Sequence, residues 1–121
     1  MAETRNGRRL ALNLCISYGS RAEIARAASL LAREVAEGTR TPDSIDEQAI
    51  AERLYTARWP DPDLLIRTSG KLRLSNFLLW QLAYAEFHVT PVLWPDFTRA
   101  HLYEAIRDYQ RRERRFGRVT L

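Results

Sequence analysis

Large apolar side chains fall at every second position between Leu10 and Ile16, as Leu10, Leu12, Leu14 and Ile16. The intervening positions carry no charge, so the alternation predicts a strand covered on both faces, as in a parallel sheet. Ser17-Tyr18-Gly19 turns the chain, and Ser20 stands three residues before Glu23, the spacing of a capping box. The helix that follows places Ala25, Ala28, Leu31 and Val35 near one face and stops at Gly38. Residues 39–43 form a polar, proline-containing linker, after which Ser44 or Asp46 caps a second helix running through Ile50, Leu54 and Tyr55. Trp59-Pro60-Asp61-Pro62 breaks it. Leu64-Leu65-Ile66, bounded by prolines on one side and Thr68-Ser69-Gly70 on the other, reads as a short, fully buried strand. Ser75 is placed to cap an apolar helix from Phe77 to Tyr84. Phe87–Val89 and Val92-Leu93 are β-prone but interrupted by Pro91. Thr98 caps a last helix with Leu102, Ala105, Ile106 and Tyr109 at helical spacing.

Strands alternating with helices predict an α/β fold: a mostly parallel sheet with flanking helices. Only two of the strands are firm. A sheet that small leaves edges exposed and a thin core, the expectation for one portion of a larger fold.

Composition narrows the partners. Across 121 residues there are 19 basic and 15 acidic side chains, a net charge of +4. That balance favours an anionic partner: phosphates, nucleic acid or an anionic membrane surface. The single cysteine, Cys15, excludes an internal disulfide, reads as a small core residue, and suits a reducing cytoplasm. The most apolar stretch, Phe77 to Phe87, falls short of the roughly 20 residues needed to span a bilayer.

The chemistry concentrates between the buried strand and the apolar helix. Arg67, Lys71 and Arg73 share that segment with the hydroxyls of Thr68, Ser69 and Ser75, and no acid occurs between Arg67 and Glu86. A glycine-containing loop that feeds a helix start offers backbone N–H groups and the positive end of a helix dipole to an anion. Arginine adds planar donors that fit phosphate oxygens. Three cations exceed what one monophosphate needs, so the loop is expected to cradle a diphosphate. Ser17 to Glu23 repeats the same logic with Arg21 in the first turn, and both loops are expected at one rim, the carboxyl ends of the strands. His88 and His101 show no ligand spacing and read as structural.

These segments also carry a resemblance. DLLIRTSG, then R-x-SNFLLWQ-x-AYAE, then VLWPDF closely resemble the C-terminal signature of the cis-prenyltransferases, the undecaprenyl diphosphate synthase family, and the likeness extends from about Leu10 to Gly117. It implies that the chain, residues 1–121, is the C-terminal half of that α/β fold. By resemblance Arg67, Arg73 and Ser75 bind the diphosphate of isopentenyl diphosphate, Leu74 lends its backbone, and Asn76 fixes the loop. Arg21 and Glu23 match an N-x-G-G-R-x-E element linked to active-site architecture. Glu86 is implied as a magnesium ligand reaching a partner subunit's active site. Arg115-Phe116-Gly117 is similar to an R-x-G tail that crosses the dimer interface. Lys71 departs from the family pattern, where glutamate is usual; Leu72 replaces a histidine found in some members.

The resemblance implies a magnesium-dependent condensation of isopentenyl diphosphate with an allylic prenyl diphosphate, carried out in the cytoplasm by a homodimer, with possible peripheral membrane contact. The family's H-x-x-x-M-D-G-N-x-R element, whose aspartate binds magnesium, has no match here, so no catalytic aspartate is expected in this chain and the chain alone is expected to be inactive. A non-catalytic subunit of a heteromeric enzyme is the second reading, opposed by the intact Arg67, Arg73, Ser75 and Glu86. A small basic nucleic-acid-binding domain is the third; it needs exposed aromatics along a basic stripe, whereas these aromatics sit within apolar runs, so no nucleic-acid partner is expected.

Overall fold

The structure is a computed structural model that describes residue 7 and residues 9–112. Helix α1 spans Ser20–Ala36, α2 spans Glu47–Ala51, strand β1 spans Leu64–Arg67, β2 spans Glu86–Val89 and α3 spans Arg99–Gln110. The two strands are parallel, with Leu64 opposite Glu86 and Arg67 opposite Val89. The long crossover between them is the 68–85 segment, as a parallel pair requires. Helix α1 packs on α2, and α3 packs on β2. The predicted α/β class therefore stands.

Helix α1 ends as its glycine dictates. Gly38 adopts φ 72°; its N–H donates to the Val35 carbonyl, and that of Thr39 to Glu34. This is the left-handed helix stop for which glycine carries no Cβ penalty. The buried stripe of α1 is Ser20, Glu23, Ala27 and Leu31, rotated from the predicted face, with Ala25 and Ala28 exposed. Helix α2 is capped by Asp46, whose carboxylate accepts from the Ala49 N–H at 2.8 Å. It is shorter than expected: Leu54 and Tyr55 lie in the turns beyond it. At the start of α3 the Thr98 N–H donates to His101 Nδ1 at 3.0 Å, so His101 closes the cap.

Three sequence expectations fail here. Residues 10–16 form no strand, and Leu10, Leu12, Leu14 and Ile16 lie exposed, between 61% and 85%; Cys15 is exposed with them. Alternation gives a segment two faces, but a strand also needs a neighbour to complete its hydrogen bonds. Among the described residues β1 and β2 pair only with each other. For the same reason β1 is half-buried along its length rather than fully covered. Finally, residues 75–84 are a succession of turns rather than a helix. Ser75, Asn76 and Leu78 take φ of 52°, 61° and 45°, left-handed backbone that no right-handed helix accommodates.

Candidate anion site and its supports

The segment after β1 is pinned before it reaches its cations. Ser69 and Gly70 both take φ 62°. The Ser69 N–H donates to the Val92 carbonyl and the Gly70 N–H to Thr90, each at 2.9 Å. The backbone donors expected to face an anion are thus spent on the exit of β2. With no regular helix at Ser75, the expected helix dipole is missing as well. Neither the Ser69 nor the Gly70 amide is left for an anion.

The side chains of the loop do converge. Arg67, Lys71, Leu72, Arg73 and Leu74 line one side of a cavity of about 50 Å³, closed on the other by Leu65, Phe87 and Val89. An Arg67 Nη donates to Ser75 Oγ at 3.4 Å, while Arg67 Nε is buried without a hydrogen-bond partner. A buried, unmatched guanidinium N–H is costly unless something accepts from it. Among the described residues none of Arg67, Lys71 and Arg73 is ion-paired with a carboxylate. All four residues expected to bind the diphosphate, Arg67, Arg73, Leu74 and Ser75, therefore meet at one place.

Asn76 ties this loop to α1. Its side-chain Oδ1 accepts from the Arg21 N–H at 2.9 Å, and its backbone carbonyl accepts from the Ser20 N–H at 2.9 Å. The start of α1 is capped by a residue 55 positions away, so those two amides are not offered to a ligand. Ser20 and Glu23 do not form a capping box: the N-cap residue is Gly19, which has no side chain to cap with. Instead Ser20 Oγ accepts from the Leu79 N–H at 2.9 Å.

Glu23 is fully buried. Its carboxylate accepts from the Tyr55 N–H at 2.6 Å, from Gln81 Nε2 at 3.2 Å and from the Tyr18 hydroxyl. Gln81 Nε2 also donates to Thr56 Oγ1 at 2.9 Å. Burial pushes the Tyr18 hydroxyl up to about 12, helped by its bond to the Glu23 carboxylate. One acid thus joins α1, the turn after α2 and the 75–84 segment. Tyr18, Thr56 and Gln81 went unpredicted. The available signal was Glu23 itself, an acid on the same helical stripe as Ala27 and Leu31, which calls for buried donors.

Glu86 lies elsewhere. It begins β2 and sits opposite Leu64, whereas Arg67 is opposite Val89. Three residues of strand separate the two levels, about 10 Å. Within one chain Glu86 and the cations of the loop therefore lie at opposite ends of the strand pair. Glu86 Oε2 accepts from Arg112 at 2.9 Å, and Arg112 also holds Asp108 at 2.6 Å. Asp108 in turn meets His88 Nδ1 at 2.8 Å. His88 and Arg112 beside it hold the Asp108 carboxyl below its usual range. Arg115, Phe116 and Gly117, expected as an interface tail, lie outside the described residues.

Magnesium was implied by the resemblance, and the residues described do not by themselves fit it. Among them no three His, Cys, Asp or Glu side chains converge as a metal site, and Glu86 already carries a guanidinium. Nor is any helix among the described residues long and apolar enough to cross a membrane.

The chain is thus a small α/β unit with a cationic loop at the end of a parallel strand. The family described as "Putative undecaprenyl diphosphate synthase" matches residues 1–117, and the chain belongs to that family. It is 59% identical over 121 residues to an isoprenyl transferase of Heliobacterium mobile, covering all of this chain and 46% of that protein. It is 56% identical over 119 residues to an isoprenyl transferase of Halalkalibacterium halodurans, covering 98% of this chain and 46% of that one. The fold matches the crystal structure of lavandulyl diphosphate synthase from Lavandula x intermedia in complex with dimethylallyl diphosphate. There the TM-score is 0.83 and the identity 47%, over 85% of this chain and 44% of that one. The chain thus spans less than half the length of these relatives.

Proposed function

We propose that this chain carries the isopentenyl diphosphate-binding part of a cis-prenyltransferase. Among the described residues, three side-chain cations without carboxylate partners surround one cavity, and one of them holds a buried N–H with no acceptor. That unmatched Arg67 Nε is the observation that carries the reading. Arg67 and Arg73 supply planar donors to the diphosphate oxygens, and the Ser75 hydroxyl orients Arg67. Leu65, Phe87 and Val89 give the carbon end of the substrate an apolar wall.

In the condensation, the terminal alkene carbon of the isopentenyl unit bonds to the allylic carbon. The allylic C–O bond breaks, diphosphate leaves with its electron pair, and the isopentenyl unit loses a proton. The residues described here hold and orient the first substrate, which lowers the barrier by fixing the reacting pair. They bring nothing that helps diphosphate leave the second, so the 121-residue chain alone binds without turnover. A polyprenyl diphosphate product, a homodimeric and cytoplasmic complete enzyme, and a magnesium requirement met at the allylic diphosphate belong to the same proposal. Glu86 is the residue here that would hold such an ion, whose charge would help the allylic diphosphate leave.

Calorimetric titration of the chain with isopentenyl diphosphate tests this. Arg73→Ala should weaken binding by about 2 kcal/mol, the loss of a charge-assisted contact. Unchanged affinity would mean the loop is misassigned.

A further inference from the structure

We propose that Lys71 is a diphosphate ligand of this site and that, with it, the site takes its diphosphate without a divalent metal ion. The inference rests on the assignment of the cavity beside Arg67 to isopentenyl diphosphate and goes on to name what neutralises the anion there.

The turn that precedes Lys71 leaves few other donors. Ser69 and Gly70 give their N–H groups to Val92 and Thr90, and the amides of Ser20 and Arg21 go to Asn76. Free backbone amides at a helix start can hold a phosphate with neither a metal nor a lysine, but these four are already bonded within the chain. Lys71 is the first side chain after the pinned turn, and it lines the cavity together with Arg67 and Arg73.

Charge counting points the same way. Three cations face an anion that carries roughly two to three negative charges near neutral pH. The lining residues include no acid. A divalent ion added here would meet three positive side chains and no carboxylate to bind it, whereas magnesium sites use at least one or two carboxylates beside the phosphates. Glu86 begins the partner strand, about 10 Å along it from the level of Arg67, and is held by Arg112 at 2.9 Å. The cavity, about 50 Å³, has room for a few water-sized groups. That suits one phosphoryl group inside, with the second at the mouth, where the long ammonium arm of Lys71 reaches it as a point charge.

The test is titration calorimetry of the full chain with inorganic pyrophosphate, in EDTA and again in excess magnesium. Binding is expected in EDTA, with no gain from magnesium. Lys71→Gln should weaken it about tenfold or more, the loss of one contact between charged groups; Lys71→Arg should restore most of it. Lys71 is exposed, so circular dichroism of each variant should match the parent. Affinity that appears only with magnesium overturns the inference. So does Lys71→Gln binding as well as the parent while Arg73→Ala loses the ligand, an outcome that leaves the functional assignment standing. If neither substitution matters, both fall. If pyrophosphate binds as expected but isopentenyl diphosphate does not displace it, the role of Lys71 stands and the substrate assignment fails.

Discussion

Asn76 Oδ1 accepts the backbone N–H of Arg21 at 2.9 Å, so the loop that carries the cations is also the cap of α1. The cationic loop and the helix start are mechanically one unit. Asn76→Ala should destabilise the chain by about 1 kcal/mol, the usual effect of a lost cap, and should expose the Arg21 amide to hydrogen exchange. Thermal melts and exchange rates check this. A variant as stable as the parent, with Arg21 still protected, would show that the cap is unimportant. Gly19→Ala strikes the same contact from the other side, because its Cβ would come within 2.9 Å of Asn76 Nδ2.

Glu23 has the larger structural role. Glu23→Ala leaves the Tyr55 N–H and the Tyr18 hydroxyl without their acceptor and Gln81 Nε2 with Thr56 alone, and should cost about 3 kcal/mol. Glu23→Gln keeps the shape and one acceptor oxygen, and should cost less. Urea unfolding of the two variants reads the difference.

Tyr18 sets the alkaline limit. Its folded value lies near 12 against an ordinary 10.0, so between those values the folded state keeps a proton that the unfolded chain has lost. Stability is therefore full below pH 10 and falls as pH rises towards 12. Tyr18→Phe should flatten that limb of a stability–pH curve; an unaltered slope would assign it to another group.

Glu34 sets an acid limit between α1 and α2. Arg53 holds it at 2.7 and 2.6 Å, and with Arg40 keeps its carboxyl below the ordinary 4.5. A depressed carboxylate stabilises above its unfolded value and loses that effect as pH falls through the folded one. Arg53→Met should remove this part of the acid dependence, read from helix content below pH 4.5.

The exposed apolar residues near the start differ from the core. Leu31 is 2% exposed and Leu12 is 71% exposed. Leu31→Ala should cost about 2–5 kcal/mol, whereas Leu12→Ser should change the stability of this chain by no more than about 0.5 kcal/mol. Equal losses in a denaturant series would mean that residues 10–16 are packed after all.

What the sequence determined by itself were features with local causes. Gly38 ends α1 because glycine carries no Cβ into left-handed backbone. Asp46 and Thr98 start helices because their side chains reach the first free amides. The run Leu64–Ile66 makes a strand, and Arg67, Lys71 and Arg73 must lie close together because so few residues separate them. Tertiary structure decided everything that needed a distant partner. Residues 10–16 have strand alternation but no neighbouring strand to bond. Residues 75–84 have helical composition, yet Asn76 is drawn to α1 and the backbone turns left-handed to reach it. Ser20 and Glu23 have capping spacing, yet both are buried and bond to Leu79, Tyr55, Tyr18 and Gln81. Glu86 follows the cations in sequence, but a parallel strand returns the chain to the far end of the sheet before it begins, and that reversal parts the acid from the cations.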